Sequence, residues 1–126
     1  MKQLNATELE IMEYLWKLKK GFMKDIVELF PEPKPAYTTT STLLSRMIAK
    51  NYVGFTKLGR DKQYYPVLKK KEYFSSQLKN MITHFFDDSA SQFASFFTSN
   101  TNLSVEELTE LKKMLDDQIK LKNEKK

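Results

Sequence analysis

The chain has 126 residues, 40% of them apolar, a formal net charge of +5 and no cysteine. That length holds one compact domain, or a small domain with a helical appendage, but not two full domains. The missing thiols exclude disulfides, thiolate metal sites and thiol catalysis. No apolar run approaches the ~20 residues of a membrane span, and Met1-Lys2-Gln3-Leu4-Asn5 lacks the apolar core of a signal peptide, so a cytoplasmic location is expected.

Thr7-Glu8-Leu9-Glu10 has the spacing of a capping box, which predicts the start of a first helix. Leu9, Ile11, Met12, Leu15 and Trp16 then recur at helical spacing to about Lys19, and Gly21 suits a left-handed closing residue. A second short helix is predicted from Met23 to Phe30, with Ile26, Val27, Leu29 and Phe30 on its apolar face; Pro31-Glu32-Pro33-Lys34-Pro35 stops it. The third helix is expected from about Thr38 to Lys50. Leu43, Leu44, Met47 and Ile48 share one of its faces, and Asn51 tolerates the left-handed conformation at its end. Its first turns contain Thr38-Thr39-Thr40-Ser41-Thr42, residues that form helices poorly, so a role outside stability is implied. The plainer alternative is a capping region with spare hydroxyls.

Tyr52 to Leu58 and Gln63 to Val67 read as strands from their β-branched and aromatic content. Between them, Gly59-Arg60-Asp61-Lys62 reads as a hairpin turn with a basic tip. Three helices followed by a basic hairpin describe a winged helix. After Lys69-Lys70-Lys71 the chain turns helical and rich in Phe. Tyr73, Phe74, Leu78, Met81, Ile82, Phe85 and Phe86 form one face; Phe93, Phe96 and Phe97 form another beyond a break at Asp87-Asp88-Ser89. Ser104-Val105-Glu106-Glu107 is a second capping box, opening a last helix with Leu108, Leu111, Met114, Leu115 and Ile119. Lys122 to Lys126 are expected to fray. The expected fold class is mainly α (α+β): an N-terminal winged helix-turn-helix with a β-hairpin wing over residues 1–70, then a helical dimerisation region over 71–126.

Enzymatic constellations are hard to find. His84 is the only histidine, which rules out a triad or a multi-histidine metal site within one chain. Asp87-Asp88 and Asp116-Asp117 are adjacent pairs whose side chains diverge on a helix, and three glycines make no nucleotide loop. No enzyme, metal or cofactor is expected. Charge points elsewhere: residues 1–70 hold 13 basic and 7 acidic side chains, residues 71–126 hold 8 and 9. The positive potential that attracts a polyanion therefore belongs to the winged helix.

The expected DNA contacts follow. Thr38, Thr39, Ser41, Thr42 and Arg46 present hydroxyls and one guanidinium to the major groove, at the helix end that enters it in helix-turn-helix readers. Arg60 and Lys62 hold the flanking phosphates. Phe74, Leu78, Phe85, Phe86, Phe93, Phe96, Phe97, Leu108 and Leu111 are more aromatic and aliphatic surface than three helices bury alone, so a two-fold dimer is expected, with half-sites ~34–36 Å apart or a multiple of that. A different class of function stays open: a winged-helix protein-interaction module that does not read DNA.

Taken together, these residues resemble the penicillinase-repressor (BlaI/MecI/CopY) family of bacterial transcriptional regulators. The resemblance rests on Leu4 with Thr7, Glu8, Glu10, Ile11, Met12, Leu15 and Trp16; on Thr39, Thr42, Leu43, Leu44, Arg46 and Met47; on Gly59, Tyr64, Tyr65 and Pro66; and on Leu103-Ser104 with Glu107 and Leu108. It implies a homodimeric repressor that binds dyad operators through its third helix and wing. In β-lactam-responsive members a membrane sensor-protease system inactivates the repressor. The family's Asn-Phe cleavage pair aligns with Phe96-Phe97, so the Asn is missing here, although Phe96 and Phe97 stay the candidates for proteolytic control. Copper-responsive members carry Cys pairs that this chain lacks. Some relatives also have basic side chains where this chain has Thr38 and Ser41, which leaves selection to hydroxyls, Arg46 and DNA shape.

Overall fold

Asn5, not Thr7, caps the first helix. In the computed structural model, which describes residues 3–125, α1 (Ala6–Leu18) opens with the Asn5 side chain accepting from the Glu8 amide at 2.8 Å. The Glu8 carboxylate accepts from the Asn5 amide at 3.1 Å. The capping box expected at Thr7–Glu10 thus lies two residues earlier, as the higher capping preference of Asn over Thr favours. Gly21 is also corrected: Lys19 takes the left-handed turn, with φ 70°. Gly21 instead begins β1 (Gly21–Phe22), a strand too short to leave a periodic signature in sequence.

The next elements follow the expected order. They are α2 (Met23–Leu29), α3 (Tyr37–Ala49), β2 (Val53–Leu58) and β3 (Asp61–Pro66). Asn51, with φ 64°, makes the left-handed exit from α3. β2 and β3 pair antiparallel from Val53 opposite Pro66 to Leu58 opposite Asp61, leaving Gly59-Arg60 as a two-residue turn. β1 pairs with the other edge of β3, giving the order β1-β3-β2.

Apolar spacing decides the core of this head. Ile11, Met12 and Leu15 from α1, Ile26 from α2, and Leu44 and Met47 from α3 are fully buried against Val53 and Tyr64 of the sheet. Two distant bonds close the core towards α4 (Lys70–Phe85): the Trp16 indole donates to the Leu68 carbonyl at 2.8 Å, and the Leu4 amide donates to the Tyr73 hydroxyl at 3.1 Å. The first compact unit accordingly runs through Lys79, past the start of α4.

Glu8 is buried, and its second oxygen accepts from Lys50 Nζ at 2.9 Å, tying the start of α1 to the end of α3. Burial pushes this carboxyl up, but the Lys50 ammonium and the Asn5 amide outweigh it and hold it below its ordinary value of 4.5. A carboxylate with a depressed folded value stabilises the fold above the unfolded value, and that stability is lost as pH falls through the folded one. Glu8→Gln is therefore expected to lower stability at pH 7 and to flatten the acid limb below about pH 4.5. Urea melts followed by Trp16 fluorescence between pH 3 and pH 7 measure this; parallel limbs for both proteins would count against it.

The second unit, Asn80–Lys126, contains the end of α4, α5 (Ala90–Asn100) and α6 (Val105–Glu124). The break predicted at Asp87-Asp88-Ser89 is a turn in which both aspartates have positive φ, 50° and 63°, and Ser89 caps α5. Ser104 and Glu107 form the expected capping box of α6. That helix continues to Glu124, so fraying from Lys122 is corrected: the segment keeps good helix formers and no breaker. Lys126, the end of the expected tail, and Met1 and Lys2, part of the segment read for a leader, lie outside the described residues. Phe86, Phe93, Phe96 and Phe97 contact one another in edge and stacked geometries. Even so, no residue from 80 to 125 is buried.

Candidate nucleic-acid interface

Helical period places the outward face of α3. Thr38, Thr42, Ser45 and Ala49 stand at i, i+4, i+7 and i+11, one line along the helix, and all are exposed. Thr39 and Arg46 flank this line on one side and Ser41 on the other, and these too are exposed. All five α3 residues expected to face DNA therefore lie on one solvent-facing surface, opposite buried Leu44 and Met47. Thr40 does not belong with them. It is 1% exposed and its hydroxyl donates to the Ala36 carbonyl at 3.1 Å, so one of the five consecutive hydroxyl residues serves the core.

The hydroxyls differ in what they offer. Thr42 Oγ1 donates to the Thr38 carbonyl at 3.0 Å, which leaves its lone pairs to accept from a base amine. Among the described residues, the hydroxyls of Thr38, Thr39 and Ser41 have no partner within the chain and are able to donate or accept. The N-terminus of α3 has no side-chain cap, since Ala36 holds the cap position. Its first amides and the positive end of the helix dipole thus face solvent, a setting that favours a phosphate.

The hairpin supplies the cations. Arg60 stands in the turn itself, and Lys62 follows on β3, both exposed. Register also places Lys57 directly opposite Lys62, and Lys62 Nζ lies 4.7 Å from the centre of the Phe55 ring. Like charges facing across a ladder cost about 0.2–1 kcal/mol. A bound anion relieves that repulsion, which makes Lys57 part of the same cationic surface.

Sequence reasoning missed Lys57, Ser45, Ala49 and Tyr37. Lys57 was legible once a two-residue Gly59-Arg60 turn was assumed, because the register then follows. Ser45 and Ala49 were legible from the period counted onward from Thr38. Tyr37 escaped because α3 begins one residue earlier than expected; it is 53% exposed at the first helical position.

Among the described residues no three His, Asp or Glu side chains gather into a group suited to a metal, and no helix is long and apolar enough to cross a membrane. The arrangement presents hydrogen-bonding groups on the exposed face of α3 and cations on the hairpin.

Known proteins with similar sequences bear on this geometry. The profile of the family described as penicillinase repressor matches residues 4–117. The chain is 28% identical over 125 residues to the penicillinase repressor of Bacillus licheniformis, covering 98% of this chain and 95% of that protein. It is 24% identical over 115 residues to the methicillin resistance regulatory protein MecI of Staphylococcus aureus strain N315, covering 90% of this chain and 94% of that protein. A solved structure entitled CopR repressor aligns with 55% of this chain and all of its own length, with 30% identity and a TM-score of 0.45.

Proposed function

This chain belongs to the penicillinase repressor family, and from that premise we propose that it acts as a homodimer that binds dyad operator DNA through α3 and the basic hairpin. At the coarser level it is a DNA-binding transcriptional repressor and not an enzyme. The observation that carries the finer reading is the exposed hydroxyl-and-Arg46 face of α3, uncapped at its N-terminus, on the same head as the Lys57, Arg60 and Lys62 hairpin.

In this reading residues 1–70 are the reading head. Thr38, Thr39, Ser41 and Thr42 meet base edges, and Arg46 takes a guanine, the partner its two-pronged donor geometry matches best. Arg60 and Lys62, joined by Lys57, hold phosphates on either side. Arg46→Ala is expected to weaken binding to the selected operator by about 1–3 kcal/mol and binding to unrelated duplex much less. Lys62→Ala should weaken both alike and reduce the slope of log K against log salt by about one. Fluorescence anisotropy with operator and scrambled duplexes separates the two. Equal losses for Arg46→Ala on both duplexes would remove it from sequence reading.

Residues 71–126 form the dimerisation region. Support comes from the exposed Phe74 and Phe85 on α4, Phe96 on α5 and Leu108 on α6, and from the absence of any buried residue between 80 and 125. Leu78, Phe86, Phe93, Phe97 and Leu111 are the further apolar residues assigned to dimerisation. Release of the operator by a membrane sensor-protease system that cuts between Phe96 and Phe97 completes the proposal. Both rings lie on exposed turns of α5, at 54% and 38%. Extract from induced cells should convert purified protein into a fragment ending at Phe96; a chain that stays intact rejects this control.

A further inference from the structure

Among the exposed side chains of α3, Tyr37 is the one large apolar group, at the edge of the exposed surface on the side of Ser41. The remainder are hydroxyls, Ala49 and the charged Arg46. It sits at the first helical position, where the Cα–Cβ bond tilts towards the N-terminus, so a side chain leaves the helix at its leading end. Its 53% exposure shows that the head does not need the ring for its core, and among the described residues its hydroxyl has no partner within the chain. Tyr37 and Ser41 stand one turn apart, so the ring continues one flank of the proposed reading surface beyond the last hydroxyl.

An aromatic ring leading a helix into the major groove has one apolar base feature to meet there, the C5-methyl of thymine. Arg46 and the hydroxyls supply the polar readout, the Thr methyls and Ala49 offer only small apolar surface compared with the ring, and no cation stands beside Tyr37 on the first two turns of α3. We propose that Tyr37 is a specificity-determining residue that recognises a thymine methyl at the outer end of the α3 contact. The proposal rests on the reading of α3 as the DNA-recognition helix. The ring covers the methyl and excludes water from it; the hydroxyl is dispensable for this contact.

The test is a selection of binding sites from a random duplex pool with the full-length wild-type chain, followed by replacement of each selected thymine with deoxyuridine, which removes only the methyl. At one thymine position the wild type and Tyr37→Phe should each lose about four-fold in affinity, the value of one buried methyl. Tyr37→Ala should bind the parent site more weakly and be indifferent to that replacement. Equal sensitivity of Tyr37→Ala and wild type at every thymine overturns the proposal. So does Tyr37→Phe behaving as Tyr37→Ala, which would mark a hydroxyl contact to phosphate. If the wild type enriches no sequence at all, the DNA-reading function itself fails, an outcome distinct from either of these. Thermal melts of the variants, expected to coincide with wild type because the ring is exposed, separate a binding loss from a folding loss.

Discussion

Leu44→Ala is expected to destabilise the reading head by about 2–5 kcal/mol. Leu44 is fully buried and lies on the inner face of α3, in the cluster with Ile11, Met12, Leu15 and Met47. Truncation removes the transfer energy of the lost carbons and leaves a cavity that α1 and the sheet fill only in part. A head of this size holds about 4–12 kcal/mol in total, so the variant should sit near its unfolding threshold at physiological temperature. The loss also reaches function, because the residues that fix the position of α3 are the ones that aim Arg46 outward. Urea unfolding monitored through Trp16, the only tryptophan, gives the number. Leu58→Ala is the control: Leu58 is 48% exposed on the hairpin and its truncation should cost less than about 0.5 kcal/mol. Similar costs for the two would contradict the assignment of the core.

Phe85→Glu has the opposite signature. Phe85 is 79% exposed, so within one chain a glutamate there meets water and leaves the head's unfolding curve unchanged. In a two-fold dimer the same substitution occurs twice and sets a charge against an apolar partner surface. At about 2 kcal/mol or more for each buried aromatic anchor, the dimer dissociation constant should rise by about three orders of magnitude. Operator affinity should fall with it, because two linked heads bind far more tightly than one. Sedimentation velocity and anisotropy on the same samples report both quantities. A variant that stays dimeric and holds operator unchanged would remove Phe85 from the interface.

The two halves of the chain were legible for different reasons. α1 and α3 carry apolar residues at strict helical spacing, and α6 opens with a Ser104/Glu107 box, so their existence and inner faces could be read directly. The ends were harder. Asn5 and Thr7 are both competent caps, and only the reciprocal bond between Glu8 and the Asn5 amide, reinforced by Lys50 from 42 residues away, decides between them. β1 was invisible because two residues have no period; it exists through its pairing with Tyr64 and Gln63 on β3. Thr40 belongs to the run of five hydroxyl residues read as serving a role outside stability, yet it was left out of the expected DNA contacts, and the inward line shared with Leu44 and Met47 takes it into the core. The positions of Arg46 on α3 and of Arg60 in the turn followed from their own neighbours, whereas Lys62, read as the last residue of the turn, stands on β3 opposite Lys57.

The central claim is that α3 and the hairpin of this head bind DNA in a sequence-dependent way. It is tested most directly by titrating the wild-type chain onto duplex from its own upstream promoter, and onto a scrambled duplex of the same composition, over ~50–200 mM salt. The account predicts a linear fall of log K with log salt on both duplexes, as phosphate-driven binding requires, with the promoter bound at least ~1,000-fold more tightly. Absence of binding to either duplex at ~50 mM salt, where such contacts are strong, would contradict it.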